Sequence, residues 1–307
     1  MTAFIEQILL LATTPVYVAV VALEWGLSAW HHRKAYSLPD TATNLYLTGL
    51  NSLIDLLMSG VALGFLSLVW MHRAFDFAPA GYAYGLALFV AEDFFYYVLH
   101  YVDHHCRFFW ATHVTHHSSM LFNFSTGLRS SVFQPLYRMF FFAPIALLGF
   151  QPIDILVMYA ATQIFGTFVH NDRCGKLGPL EWIFVTPSHH RVHHASNPKY
   201  LDKNMGMALI VWDRMFGTFV EEDANEPVRY GLTVPLYSRG PINIVFHEWK
   251  DIWRDLRVNA RNWQERLCYV FGPPGWRPAA NPARNPARNP GLEPFVEKTI
   301  AGARAIE

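Results

Sequence analysis

The sequence predicts an all-α fold: a bundle of transmembrane helices with a histidine-rich, metal-binding cap on the cytosolic side. Three observations support this prediction. Apolar segments of nearly membrane-spanning length recur along the 307 residues, and charged residues make up only 16% of the chain, against about 25% in soluble domains. Eleven of the fifteen histidines also fall in two short windows, His100–His117 and His170–His194. Basic and acidic residues balance at 24 each, so no basic surplus indicates a nucleic-acid partner.

Five segments are candidates for spanning helices, because each approaches the roughly 20 mostly apolar residues that a span needs. They are residues 5–23, 46–70, 82–101, 132–150 and 153–170. The first lacks the basic flank and the cleavage site of a secretory signal, so we expect it to be retained. Only Gln151 and Pro152 separate the last two segments, which predicts a tight hairpin.

Both ends of this hairpin return to the same membrane face, so the histidines before and after it should meet there. The third segment delivers its histidines to that face as well. Basic residues concentrate on the same side: HHRK follows the first segment, and the clusters are flanked by Arg107, Arg129, Arg173, Lys176 and Arg191. Positive charge favours the cytoplasmic side of a membrane, so we expect a multi-pass integral membrane protein with cytoplasmic histidine clusters.

The organisation along the chain divides into four regions. We expect transmembrane helices in 1–81, a di-metal catalytic region in 82–220, a cytosolic C-terminal segment in 221–278 and a Pro-rich flexible tail in 279–307. The repeat NPARNPARNP at 281–290 supports the last of these, because the residue before each proline disfavours helix.

The histidine motifs carry the chemistry. The first pair, His100 and His104, is four positions apart, which places both rings on one helical face. An H-x-x-H-H element then occurs twice, with one isolated histidine between the two copies. Neutral imidazole is a ligand for iron, zinc and copper, and nine histidines without cysteine suit two coordination shells that keep positions open for oxygen or water. The candidate ligands are His100, His104, His113, His116, His117, His170, His190, His193 and His194.

Several nearby residues are candidates for a supporting role. His105 and His189 each extend a motif by one position, and each is either a ligand or a hydrogen-bond donor beside the ligands; His189 is kept among the metal candidates. Asp93 and Asp172 are candidate acceptors for the second nitrogen of a ligand ring. The three cysteines are isolated and too few for a four-cysteine iron–sulfur cluster. Electrons for redox chemistry must therefore come from an external donor.

From Glu92 to about Val220 the chain resembles the fatty acid hydroxylase superfamily, also called the sterol desaturase family. The matching stretches include EDFFYYVLHYVDHH, FWATHVTHHSS, TPSHHRVHHASNPKYLDKN and WDRMFGTF. The best local match is to the alkylglycerol monooxygenase branch and its bacterial relatives. His105 departs from the glutamate that the animal ether-lipid enzymes carry at this position.

This resemblance implies a membrane-bound di-iron oxygenase that uses O2 to hydroxylate or desaturate a lipid: a sterol, a fatty acyl chain, or an ether or amino lipid. It implies two iron ions on the motif histidines, a lipid drawn from the bilayer and a separate ferredoxin or cytochrome-type reductase. Two alternatives stay open at this point: a di-zinc or structural metal-binding membrane protein, and a metal transporter or haem electron carrier. Asn123, Arg129 and Arg191 are expected either to contact a lipid head group or to hold loops in place.

Overall fold

The computed structural model describes residues 2–79, 81–236, 238 and 240–278, with side chains from residue 14 onward. The tail expected at 279–307 lies outside the described residues. Helices account for the secondary structure apart from two isolated β-bridges in the described part of the chain, so the all-helical prediction is confirmed. The helices are α1 (Thr2–Trp30), α2 (Leu38–Trp70), α3 (Tyr82–His105), α4 (Arg107–His117), α5 (Phe124–Gly127), α6 (Arg138–Leu148), α7 (Pro152–Phe168), α8 (Pro187–His193), α9 (Val211–Phe216), α10 (Pro241–Arg254) and α11 (Trp263–Phe271).

Helix α2 has the properties of a membrane span. The Ser37 side chain accepts a hydrogen bond from the Asp40 backbone N–H and caps its N-terminus, and its 33 residues exceed the length of a bilayer core. Only 11% of its most apolar 18-residue window is buried, whereas the core helix of a soluble protein is mostly buried. Within the described residues it is the one helix that is both long and apolar enough to cross a membrane.

The other four predicted spans are helical but less clear. Helix α1 exceeds the predicted 5–23, and α3 carries buried acidic residues, Glu92 and Asp93 among them. Helices α6 and α7 have only 11 and 17 residues. The prediction of one helix over 132–150 is wrong: residues 134–136 form a 3-10 turn, because Gln134 and Tyr137 turn inward to donate hydrogen bonds to Asp103. The number of membrane crossings stays a prediction.

The tight hairpin between α6 and α7 is confirmed. Gly149 ends α6 at φ +120°, and a Cβ there would lie 2.1 Å from the Phe75 carbonyl oxygen, so the turn needs glycine. Around the hairpin, a buried core joins α2, α3, α6 and α7 through side chains such as Leu66, Leu99 and Phe142. This core fixes the ends of α3 and α7, where candidate ligand histidines lie.

Helix α4, which carries the first H-x-x-H-H element, is fixed by a buried arginine. The Arg107 Nε donates to Glu248 in α10 at 2.6 Å, and its Nη1 donates to Asp255 at 2.7 Å. Asp255 begins a π-helical turn that follows α10. The C-terminal helices therefore hold α4 in place under the site.

Candidate metal centre

The structure brings nine of the predicted ligand histidines together in two adjoining groups. In each group the candidate ligand atoms lie within 4.8 Å of one another. The rings of His117 and His194, one from each group, stack at a centroid distance of 4.4 Å, so the groups share a border. The group of five is His100, His104, His113, His117 and His193, and the group of four is His116, His170, His190 and His194.

Hydrogen bonds at Nδ1 fix the orientation of most of these rings. Carbonyl oxygens accept from four of them: Met205 O from His100 at 2.7 Å, Arg129 O from His116 at 2.7 Å, Gly166 O from His170 at 2.7 Å and Lys203 O from His193 at 3.0 Å. A carbonyl can only accept, so Nδ1 carries the proton and Nε2 presents a lone pair. The same orientation is typical of metal-bound histidines.

These lone pairs converge in an environment that keeps the imidazoles neutral. Nε2 of His100 lies 3.0 Å from Nε2 of His113, and Nε2 of His170 lies 3.0 Å from Nε2 of His190. Burial, followed by the neighbouring imidazoles, lowers the pKa of His113 well below its usual value, and burial lowers the pKa of His116 to about 4. Neutral, inward-facing nitrogens at this spacing suit a cation between them.

Unpartnered nitrogens support the same conclusion. Nε2 of His104 and Nε2 of His193 are buried without a hydrogen-bond partner, as is Nδ1 of His190. A buried polar atom without a partner is costly, and coordination to a metal would satisfy both Nε2 atoms. The residues present therefore fit two metal ions, one in each group.

One loop supplies acceptors to three histidines of the group of five. This acceptor loop, residues 202–205, presents the Asp202 carboxylate to Nδ1 of His104 at 3.1 Å, in addition to the Lys203 and Met205 carbonyls. Asp202 and Asn204 have φ values of 56° and 55°, a left-handed conformation that Asp and Asn tolerate better than most residues. The Asn204 amide donates to the His189 and Val220 carbonyls, which offsets that strain.

Two buried aspartates anchor the acceptor loop and the strand-like segment after it. Asp213 accepts from the backbone N–H groups of Met205 at 2.7 Å and Gly206 at 2.8 Å. Asp93 in α3 accepts from the Ala208 and Leu209 N–H groups at 2.8 and 3.1 Å. Asp93, a candidate acceptor for a ligand ring, instead has its carboxylate occupied by this segment.

His189 lies outside both groups, contrary to its place among the candidate ligands. Its Nδ1 accepts a hydrogen bond from the Thr186 backbone N–H at 3.4 Å, as part of the capping box that begins α8, and its ring contacts Phe219. His105 is also outside: its Nδ1 donates to the Tyr101 carbonyl and its ring stacks on Tyr101 at 3.8 Å. Asp172 accepts from the Tyr230 hydroxyl, while His170 uses the Gly166 carbonyl instead.

The three polar residues considered for a head group hold loops. Arg191 forms a bidentate ion pair with Glu222 at 2.9 and 2.6 Å. Arg129 donates to the Thr115 carbonyl at 2.9 Å, and Asn123 caps α5. Sequence reasoning missed the roles of Asp202, Asp213 and the Ser131 hydroxyl, which lies 2.9 Å from Nδ1 of His113. The signal for the two aspartates was their place in the LDKN and WDRMFGTF stretches that carry the family resemblance.

A cavity of about 330 Å³ reaches both histidine groups. Its wall includes His100 and His113 from the group of five, and His116, His170 and His190 from the group of four. It continues between α2 and α7, where the wall includes Leu56, which is 58% exposed on the apolar surface of α2. The volume is at the lower end of small-molecule sites, and the cavity leads from the histidines toward the surface of the candidate span.

Comparison with known proteins identifies the region that carries this centre. Residues 85–218 match the fatty acid hydroxylase family model. This part of the chain is similar to the fatty acid hydroxylase family. The family region contains both histidine groups, the acceptor loop and the two anchoring aspartates.

Relatives with curated names include lipid oxygenases. The chain is 35% identical to the human alkylglycerol monooxygenase over 269 residues, which is 86% of this chain and 59% of that protein; for the Danio rerio protein the identity is 34%, with the same shares. The Rhizobium tropici ornithine lipid hydroxylase OlsE is 29% identical over 231 residues, 70% of this chain and 68% of that one. The chain spans about half the length of the alkylglycerol monooxygenases that it matches. No solved structure matches it.

Proposed function

We propose that the protein is a membrane-bound di-iron oxygenase that uses O2 to hydroxylate or desaturate a lipid. The observation that carries this proposal is the pair of adjoining, buried imidazole groups at the end of a cavity that leads to the surface of an apolar helix. The group of five and the group of four would each hold one iron ion, and His189 is not part of either set. Iron bound there would supply the binding and reductive activation of O2.

The protein's own residues orient and isolate this centre. The acceptor loop fixes three rings of the group of five, and the Arg129 and Gly166 carbonyls fix two rings of the group of four. Burial keeps bulk water away from the ring nitrogens, since His100, His113 and His190 are at most 4% exposed. A substrate in the cavity would meet the histidines without crossing the aqueous surface.

The lipid and the electron donor belong to the same proposal. The named relatives act on an alkylglycerol and on an ornithine lipid, which favours a polar lipid over a free hydrocarbon. We propose that it enters from the bilayer between α2 and α7, in a multi-pass protein whose histidines face the cytoplasm. The three cysteines are free and lie outside both histidine groups, so a separate ferredoxin or cytochrome-type reductase would supply the electrons.

The alternatives predict other arrangements. A structural zinc site is tetrahedral and often includes cysteine, whereas these groups have five and four nitrogen donors and no cysteine. A haem carrier needs two axial ligands for each haem, and a transporter needs a polar path across the membrane. Two neighbouring multi-imidazole groups fit a two-metal enzyme better than any of these.

The experiment combines metal analysis with isotope labelling. Cells with and without the protein are grown under ¹⁸O2, and their lipids are compared by mass spectrometry, while purified protein is analysed for iron and zinc. We expect about two irons per chain and either a ¹⁸O-labelled lipid class or a class that has lost two hydrogens. His105→Ala is the matched control, since its ring lies outside both groups. Zinc in place of iron, or lipids that do not change, would contradict the proposal.

A further inference from the structure

An ion pair between Arg138 and Asp55 lies in the cavity wall, away from the histidines. Asp55 is the only charged residue of α2 after Asp40. The Arg138 Nη2, at the start of α6, donates to Asp55, and Nη1 donates to the Tyr159 hydroxyl at 3.3 Å. The guanidinium also lies over the Tyr159 ring at 4.3 Å. Three elements, α2, α6 and α7, therefore meet at one charged contact.

Stability alone does not account for this pair. Charged groups within a membrane span are rare because they are expensive, and where they occur they usually serve a function. A buried ion pair can often be replaced by apolar side chains without loss of stability. Moreover, the two partners are unequally covered: the Arg138 side chain is 11% exposed and the Asp55 side chain is 40% exposed. The carboxylate is the partner that is available to a ligand.

The pair belongs to the same cavity as the histidines. Asp55, Arg138 and Tyr159 line it together with histidines of both groups, and among the described residues of its wall Asp55 is the one carboxylate. Ring contacts connect the two ends: His100 to Tyr96 at 5.7 Å, and Tyr96 to Tyr159 at 6.3 Å. A substrate that occupied the whole cavity would touch both the histidine end and the carboxylate.

The separation of the two ends follows from helix geometry. On α2, Thr48 donates to the Leu128 carbonyl beside the histidine end, and Asp55 lies roughly 10 Å further along the helix. Thr48, Ser52 and Asp55 recur at spacings of four and three, so they form a polar stripe on one face of α2. An unsubstituted hydrocarbon would gain nothing from this stripe.

We propose that Asp55 is a specificity-determining residue that accepts a hydrogen bond from a hydroxyl or ammonium group of the lipid substrate. Arg138 and Tyr159 hold the carboxylate in place for this contact. The substrate is then a lipid that carries a donor group roughly 10 Å from the carbon at the histidine end. This inference rests on the proposed function only in taking the cavity as the lipid site.

Lipid binding tests the proposal without turnover. Metal-loaded full-length protein in detergent is titrated with pairs of lipids that differ only in the donor. Hexadecylglycerol against its dimethyl ether tests a hydroxyl donor, and phosphatidylethanolamine against phosphatidylcholine of the same acyl chains tests an ammonium donor. Hydrogen bonds to charged groups are worth enough for about a tenfold or larger difference in Kd. We expect that difference in at least one pair, and the pair that shows it identifies the donor.

Two variants locate the effect. The double variant Asp55→Leu/Arg138→Met removes the acceptor and both charges together, so no unpaired charge is left, and it should bind both members of the pair with equal Kd. Asp76→Asn neutralises a carboxylate of the exposed Arg73–Asp76 pair outside the cavity and should retain the wild-type preference. A melting temperature and the metal content confirm that each variant is folded.

Three results would overturn the proposal: equal Kd values for wild-type protein in both lipid pairs, a preserved preference in the double variant, or a lost preference in Asp76→Asn. The wild-type comparison needs no variant, so it decides even if the double variant does not fold. A preference for the donor lipid in a protein that oxidises no lipid would leave the subsite standing and refute the oxygenase. If the protein oxidises both members of each pair alike and binds them with equal Kd values, the oxygenase proposal stands and the Asp55 subsite is refuted.

Discussion

Gly127 is the position where the smallest change should remove one metal and leave the other. A Cβ at Gly127 would lie 3.1 Å from Cγ and Nδ1 of His170 and 2.9 Å from the Thr167 carbonyl oxygen. The ring would have to retreat by a few tenths of an ångström, but its Nδ1 is bonded to the Gly166 carbonyl at 2.7 Å. Metal–ligand distances tolerate about 0.2 Å, so Gly127→Ala should displace His170 from the group of four.

The magnitude follows from two opposing effects. Overpacking lowers the folding stability by about 1–3 kcal/mol, and replacing a helical glycine by alanine raises it by about 0.5–1 kcal/mol. We therefore expect a net loss of stability of roughly 0–2.5 kcal/mol, together with a 10–100-fold loss of affinity in the group of four. The group of five, which Gly127 does not touch, should keep its metal.

The assay is iron content by mass spectrometry, together with the thermal midpoint of the purified protein. We expect about one iron per chain in Gly127→Ala, where the wild type should hold about two. Gly85→Ala is the matched control, since Gly85 lies in α3 and has nothing within 4 Å of its Cβ position. Full iron content in Gly127→Ala, or equal losses in both variants, would refute the reasoning.

Three further predictions follow from the same geometry. His193→Ala and His116→Ala should each abolish product and lower the iron content while membrane insertion stays intact; product in either variant would remove that residue from the ligand set. Asp213→Asn keeps one oxygen acceptor but sets its amide N–H2 against the backbone N–H of either Met205 or Gly206, so the free energy of unfolding should fall by about 1.5–3 kcal/mol, and an unchanged chemical-denaturation midpoint would contradict this. In metal-free protein the pKa of His116 is about 4, below the value of about 6.5 in an unfolded chain, so the unfolded state takes up the proton first. Stability should therefore fall as the pH drops from about 6.5 towards 4, seen as a lower thermal midpoint, and a pH-independent midpoint would argue against a buried neutral cluster.

The sequence allowed the fold class and the gathering of the histidines to be predicted because both depend on spacing. The four-residue separation of His100 and His104 places them on one face of α3, and the tight turn at Gly149 returns α7 to the side where α4 ends. His170 joins the cluster for that reason alone. These features follow from helix geometry and chain connectivity, which are local properties.

The supporting contacts could not be predicted in the same way. Asp93 stands seven residues before His100, so helical spacing suggested that it contacts the ring, but the backbone of 208–209 occupies its carboxylate. His189 adjoins a ligand in sequence, yet the capping box of α8 uses its ring. The acceptors for His100 and His193 are backbone carbonyls. Every residue has one, so the sequence does not show which carbonyl accepts. Tertiary contacts decided each case.

The ring orientation in both histidine groups depends on segments from elsewhere in the chain. The rings of the group of five are oriented by the acceptor loop, and that loop is held by Asp93 of α3 and by Asp213 of α9. His116, in the group of four, is oriented by the Arg129 carbonyl, and the Arg129 side chain is in turn fixed by Asn44 of α2 at 2.6 Å. The ring orientation in the group of five therefore depends on the docking of residues 202–213 on the helical bundle. Because a metal binds the assembled site and not the separate segments, its binding free energy contributes to that docking.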